Sequence, residues 1–271
     1  MTRLADFEQS VLTILSSNLQ EQDKIPQIRT LMREALTGPE FVMSCIERAL
    51  GHFEQAPDLK PQPPLLVSLD QQFAAHLIYW PPHHKNSPHM HSTWGVTGVF
   101  HNEMVFETYD NAGDLEHPEL TVDNHIEAVK GETGYLLPSC IHNVANESDK
   151  PSASLHLFGT DDMNRPAECT TVWFGDATRM PGELRPRAMA IFTDILLGID
   201  GEEAEGLMTR VFELAGNKTK LRLVQGLSGR NIALSYRLSV ALEQALEGAD
   251  RERLAAINNK LSQQVASLEQ A

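Results

Sequence analysis

Apolar residues recur every three or four positions between Ala5 and Leu50, first as Phe7, Val11, Leu12 and Leu15 and then as Ile28, Leu31, Met32 and Ala35. That is the spacing of amphipathic helices. Pro26 is expected to start the second of these helices and Gly38-Pro39 the third, because proline is tolerated in a first turn. The stretch Gln55-Ala56-Pro57-Asp58-Leu59-Lys60-Pro61-Gln62-Pro63-Pro64 then reads as a proline-rich connector. Beyond it the period shortens to two. Thr93 to Phe100, the pair His101-Asn102 and Met104 to Tyr109 read as a β-hairpin, since asparagine tolerates the left-handed conformation of a tight turn. Gly131 to Pro138 reads as a strand stopped by proline, His142 opens another that ends near Asn146, and Ser152 to Phe158 alternates so that Ser154, His156 and Phe158 share a face.

Helical spacing returns in Met189 to Leu197, Glu203 to Ala215, Ile232 to Leu246 and Asp250 to Leu268. In the last segment Leu254, Ile257, Leu261, Val265 and Leu268 form one stripe that requires a partner. The partner is either the neighbouring helices of the same chain or the same helix of a second subunit in a homodimer. The expected organisation is a helical region over 1–60 that packs on a β-barrel over 61–180, followed by a helical extension over 186–271. Fold class is thus a mainly β core with helical extensions.

Charge and cysteine content narrow the function classes. With 37 acidic and 22 basic residues in 271, the net charge of −15 argues against nucleic acid or anionic membranes as partners. No apolar run approaches membrane-spanning length, and the N-terminal residues lack the core of a signal peptide, so the cytoplasm is the expected compartment. Three cysteines, Cys45, Cys140 and Cys169, without a C-x-x-C spacing point to a reducing compartment and no disulfide framework.

The histidines carry the chemistry. His89-Met90-His91 is followed fifty-one residues later by His142, in the run Pro138-Ser139-Cys140-Ile141-His142-Asn143-Val144. Two histidines one residue apart on a strand point to the same side, and a third on a distant strand can complete a face. Such a triad leaves about half of an octahedral shell open, which suits iron(II) and oxygen chemistry better than closed structural zinc. Ser92 to Phe100 contains no carboxylate, so no acidic fourth ligand follows directly, and Glu103 would have to reach back from beyond the turn. By strand parity Cys140 would share the face of His142, either near the ion or as a small buried residue. His83 and His84 lie in a proline-bounded run and are expected to be solvated loop residues.

Pro88-His89-x-His91, Trp94-Gly95-Val96, His142-x-x-x-Asn146 and Ser154-Leu155-His156 together give the chain a resemblance, over roughly residues 65 to 160, to the cysteine-dioxygenase-type thiol dioxygenases. Those are cupins, jelly-roll (double-stranded β-helix) barrels in which three histidines hold iron and dioxygen is added to a thiol. The resemblance implies Fe(II) on His89, His91 and His142. It further implies a relay through Ser154 and His156, although these two would equally satisfy each other within a barrel wall.

Departures from the family pattern bear on the substrate. The family's Ser-x-His-x-Tyr ends here in Phe158, so the phenol is absent unless Tyr79, Tyr109 or Tyr135 replaces it. No arginine or lysine lies between Pro61 and Trp80, where cysteine-specific members hold the substrate carboxylate. Relatives that oxidise mercaptopropionate-like acids draw an arginine from a later segment, where Arg165 stands, either as that clamp or as a solvated loop residue. Gly95 occupies the neighbourhood of the family's crosslinking cysteine, so no crosslink is expected. The expected function is an iron(II) dioxygenase, an oxidoreductase whose small-molecule substrate is a thiol and whose co-substrate is O2. The alternatives are a three-histidine oxygenase of a non-thiol metabolite and a non-catalytic metal- or ligand-binding cupin.

Overall fold

The computed structural model describes residues 3–56, 63–68, 73–159, 171–176, 180–243 and 247–269. Met1–Ala49 with Leu59–Gly182 form one compact unit, and Leu50–Asp58 with Glu183–Ala271 form a second.

The first unit begins with α1 (Leu4–Leu15), α2 (Glu21–Thr37) and α3 (Pro39–Gln55), the last of which continues into the second unit. Pro39 opens α3 as expected, but Pro26 lies inside α2 rather than at its start. The helix begins earlier because Gln20 is extended and Glu21 and Asp23 place negative charge on the first-turn amides. Pro26 therefore costs α2 only one backbone bond near its N-terminus.

The strands follow as β1 (Leu66–Val67), β2 (Ala74–Trp80), β3 (His84–Lys85), β4 (His89–Met90), β5 (Gly95–His101), β6 (Glu103–Asn111), β7 (Leu120–Val129), β8 (Thr133–Leu136), β9 (Ile141–Asn146), β10 (Ser152–Phe158) and β11 (Val172–Trp173). They build two antiparallel sheets, in the orders β1-β2-β10-β5-β8 and β11-β4-β9-β6-β7, with β3 also on β9. This is the expected cupin jelly roll with helices before and after it. The crossed order puts strands distant in sequence side by side, and Trp80, Val99, Met104, Ala128 and Val144, drawn from both sheets, close one apolar core. Asn102 makes the β5–β6 turn with φ of 62°, and its side chain donates to Ser148 and Ser152. Asn146 is fully buried and ties the β9–β10 turn together by donating to the carbonyls of Pro81 and Lys150 while accepting from Ser148.

Strand β7 was not expected: its apolar residues Leu120, Val122, Ile126 and Ala128 fall at alternate positions but are interrupted at Asn124, and almost every side chain is exposed, with Val122 and Ile126 about half exposed. Conversely, β10 alternates in sequence yet is buried on both faces. Helix α2 lies against β5 and β8, and Gly98 makes that approach close.

The second unit comprises α4 (Leu184–Leu196), α5 (Glu202–Leu214), α6 (Asn217–Leu227), α7 (Ile232–Glu243) and α8 (Gly248–Glu269). Helix α6 was missed because its apolar residues Leu221, Leu223, Val224 and Leu227 are interrupted by charges and close-packed glycine. Of the expected α8 stripe, Leu254 and Leu261 are buried in this chain, where α8 packs on α6 and α7. Arg210 bonds Glu54 through two nitrogens at 2.8 and 2.9 Å, tying α5 to the end of α3. Among the described residues no helix is long and apolar enough to cross a membrane.

A Cβ on Gly98 would collide with Leu36 Cδ1 and stand 2.9 Å from Met32 Sδ, both on buried side chains. G98A is therefore expected to lower unfolding free energy by about 1–3 kcal/mol, the range for overpacking, in urea denaturation.

Candidate metal centre

His89 and His142 are direct cross-strand partners in the β4–β9 pair, which sets their side chains on one face. His91 lies just past β4 rather than on it, so strand parity alone does not place it. All three rings nevertheless converge. Their ligand-capable atoms lie within 4.8 Å of one another, and the ring centroids are 4.3 to 5.2 Å apart. His89 and His142 are buried and His91 is partly so.

Backbone carbonyls orient two of the rings. His89 Nδ1 donates to the Ser87 carbonyl at 3.0 Å, and His142 Nδ1 donates to the Cys140 carbonyl at 3.1 Å. Each bond puts the ring proton on Nδ1 and the lone pair on Nε2, the tautomer a metal ligand needs. Thr171 Oγ1 stands 3.4 Å from His91 Nδ1, Trp173 stacks on His89 at 4.4 Å, and the Phe158 ring lies 4.8 Å from that of His91. Burial, then the neighbouring His89, holds His142 well below the ordinary histidine range, so it is neutral and able to ligate. The donor set of three neutral nitrogens, two of them aimed from behind, fits a divalent transition metal.

Cys140 contributes its carbonyl; its half-buried thiol contacts the Ile141 carbonyl at 3.9 Å and is not in the three-histidine group. Glu103 is exposed at the start of β6. His83 is an exposed loop residue bonded to Asp149 at 2.8 Å, but His84 departs from the solvated-loop expectation: it is buried on β3 near Trp80. Arg165, like Cys169 and Arg179, lies outside the described residues.

Register disposes of the three tyrosines. Tyr79 pairs with Ala153 and Tyr135 with Val96, on the side of the sheet opposite His156. Tyr109 pairs with Ile141, on the side of β9 opposite His142. None of the three stands in for the phenol missing at Phe158.

Ser154 and His156 are brought together as expected, with Oγ 2.7 Å from Nε2. The structure adds two partners that sequence reading did not find. Trp80 Nε1 donates to Ser154 Oγ at 2.7 Å, and Thr97 Oγ1 lies 2.9 Å from His156 Nδ1. Both nitrogens of His156 are thus engaged within the wall, so the ring does not itself donate into the barrel. Burial pulls its ionisation down to about 3. These partners pair across strands far apart in sequence, a relation no local spacing signals.

Behind His142 the outer face of β9 is clamped by charge. Glu107, only 11% exposed, accepts from Lys85 at 2.6 Å, Tyr109 at 2.7 Å, Asn143 at 3.0 Å and His125 at 3.2 Å. Asn143 is also bonded to Tyr109, so the residue next to His142 is tied to β6.

Neither known family models nor curated proteins match the sequence. Among solved structures, Bacillus subtilis oxalate decarboxylase, described for its Mn(II) centres, is 19% identical over 38% of this chain and 24% of its own, with a TM-score of 0.30. The DMSP lyase DddQ of Ruegeria pomeroyi is 16% identical over 39% of this chain and 46% of its own, at 0.29. TT1209 of Thermus thermophilus is 17% identical over 36% of this chain and 79% of its own, at 0.29. The chain thus spans about a quarter of the oxalate decarboxylase and under half of the lyase.

Lys85, then Tyr109, holds the Glu107 carboxyl down at about 2, against an ordinary 4.5. A depressed folded value means the stabilisation is complete above about 4.5 and is lost as pH falls toward 2. Wild type should therefore exceed E107Q in denaturant midpoint at pH 6, with the gap closing between pH 4.5 and 2; a pH-independent gap would contradict the clamp.

Proposed function

We propose that the chain is a mononuclear iron(II) dioxygenase that adds both atoms of O2 to a small thiol, of the cysteine or 3-mercaptopropionate kind, to give a sulfinic acid. The observation that carries this reading is the convergence of His89, His91 and His142, with no carboxylate in their group among the described residues. Three neutral imidazoles leave the full charge of a divalent ion uncompensated, which favours an anionic thiolate at the open positions. Iron(II) held there would supply the redox step that lets triplet dioxygen combine with a closed-shell thiol, RSH + O2 giving RSO2H.

The chain's own residues supply position and apolar cover. The carbonyls of Ser87 and Cys140 fix the ligand tautomers, and Trp173 and Phe158 cover two of the rings with apolar surface. Arg165 is proposed as a carboxylate clamp, whose bidentate fork would select 3-mercaptopropionate over cysteamine.

A second reading keeps iron and changes the substrate to a non-thiol metabolite. It is favoured by the orientation of Tyr79, Tyr109 and Tyr135 away from the site, which leaves Phe158 unreplaced.

Protein loaded anaerobically with iron(II) should consume oxygen with 3-mercaptopropionate, and H89A should fall to background. In an oxygen electrode, R165A is expected to raise KM for 3-mercaptopropionate about tenfold or more while leaving cysteamine unchanged, as loss of a charged hydrogen bond requires. Uptake with a β-diketone and with no thiol would decide for the second reading.

A further inference from the structure

The polar chain beside the metal centre has a direction, and hydrogen-bond accounting fixes it. The indole of Trp80 can only donate, so Ser154 Oγ accepts from it at 2.7 Å. Ser154 is fully buried, and among the described residues its hydroxyl's other partner is His156 Nε2 at 2.7 Å. A hydroxyl proton buried without an acceptor is costly, so it goes to Nε2. The ring proton of neutral His156 is then on Nδ1, which donates to Thr97 Oγ1 at 2.9 Å. Thr97 is left with its own proton to give.

Among the described residues no acceptor for that proton is found beyond His156. Thr97 pairs with His156 across β5–β10, which puts it on the inner side of the sheet with Ser154 and Phe158. It is only part-buried, and its partner on the other side is Gly134, where a side chain would meet nothing within 4 Å. Phe158 stands between this chain and the metal group, 5.8 Å from the His156 ring and 4.8 Å from that of His91.

We infer that Thr97 is a substrate-binding residue, a hydroxyl donor oriented by the one-way chain Trp80, Ser154, His156, Thr97, and that it donates to the anionic group of a small thiol or acid bound in the barrel. The inference rests on the reading of the barrel as a site for such a molecule. The chain's direction stands without that reading. His156 acts through Thr97 as a positioning residue.

Two measurements separate the parts. In zinc-loaded, 15N-histidine-labelled protein, long-range NMR correlations should show His156, assigned with H156Q, as the Nδ1–H tautomer. In cobalt(II)-loaded protein, optical titrations with 3-mercaptopropionate and with azide should give T97V a Kd about tenfold or more above wild type, and T97S one within about twofold. An Nε2–H tautomer, an unchanged Kd in T97V, or binding of neither probe overturns the inference. Azide binding weakened by T97V, with no thiol binding in wild type, upholds the donor and sinks only the thiol reading.

Discussion

The cross-strand pair of His89 and His142 is the constraint on which the site depends. Two imidazoles facing each other in the barrel can ligate one ion only if both are neutral, and burial favours the neutral form of His142. The Ser87 and Cys140 carbonyls then decide which nitrogen carries each proton. Without the jelly-roll crossing that sets β4 beside β9, residues more than fifty apart would not meet. His91, off the end of β4, joins from irregular backbone and is packed by Phe158 and flanked by Thr171.

The two faces of the barrel wall divide the tasks. Inward, β9 and β10 present His142, Ser154, His156 and Phe158; outward, Asn143 is tied through Glu107 to Lys85, Tyr109 and His125. A carboxylate that accepts four donors is a strong clamp because each donor stabilises the ionised form. The ligand strand is thereby fixed from the side that never meets the ion, as rigid support for a site requires.

Much of this was legible in the sequence, for identifiable reasons. The hairpin turning at Asn102 and the Ser154, His156, Phe158 face are local patterns, and local geometry preserved them; the three histidines also converge, but His91 does so from beyond the end of β4 and His142 through sheet order. What failed depended on context. Pro26 lies within α2 because upstream charge and an extended Gln20 started the helix earlier. Strand β7 is exposed almost along its length, so its burial does not follow the apolar alternation of Leu120, Val122, Ile126 and Ala128, which Asn124 interrupts. Trp80 and Thr97 complete the His156 chain from two other strands, and Trp173 reaches His89 from a third; such partners follow only from sheet order.

The most direct test of the account is the metal stoichiometry and ligand sphere of the purified chain. Zinc added to metal-free protein should bind at one equivalent, with X-ray absorption showing three imidazole nitrogens at about 2.0–2.1 Å and an exchangeable light-atom ligand. H89A, H91A and H142A should each abolish that binding while the fold persists. Binding that survives H142A, or a sphere containing sulfur or only carboxylate oxygen, would contradict the three-histidine centre.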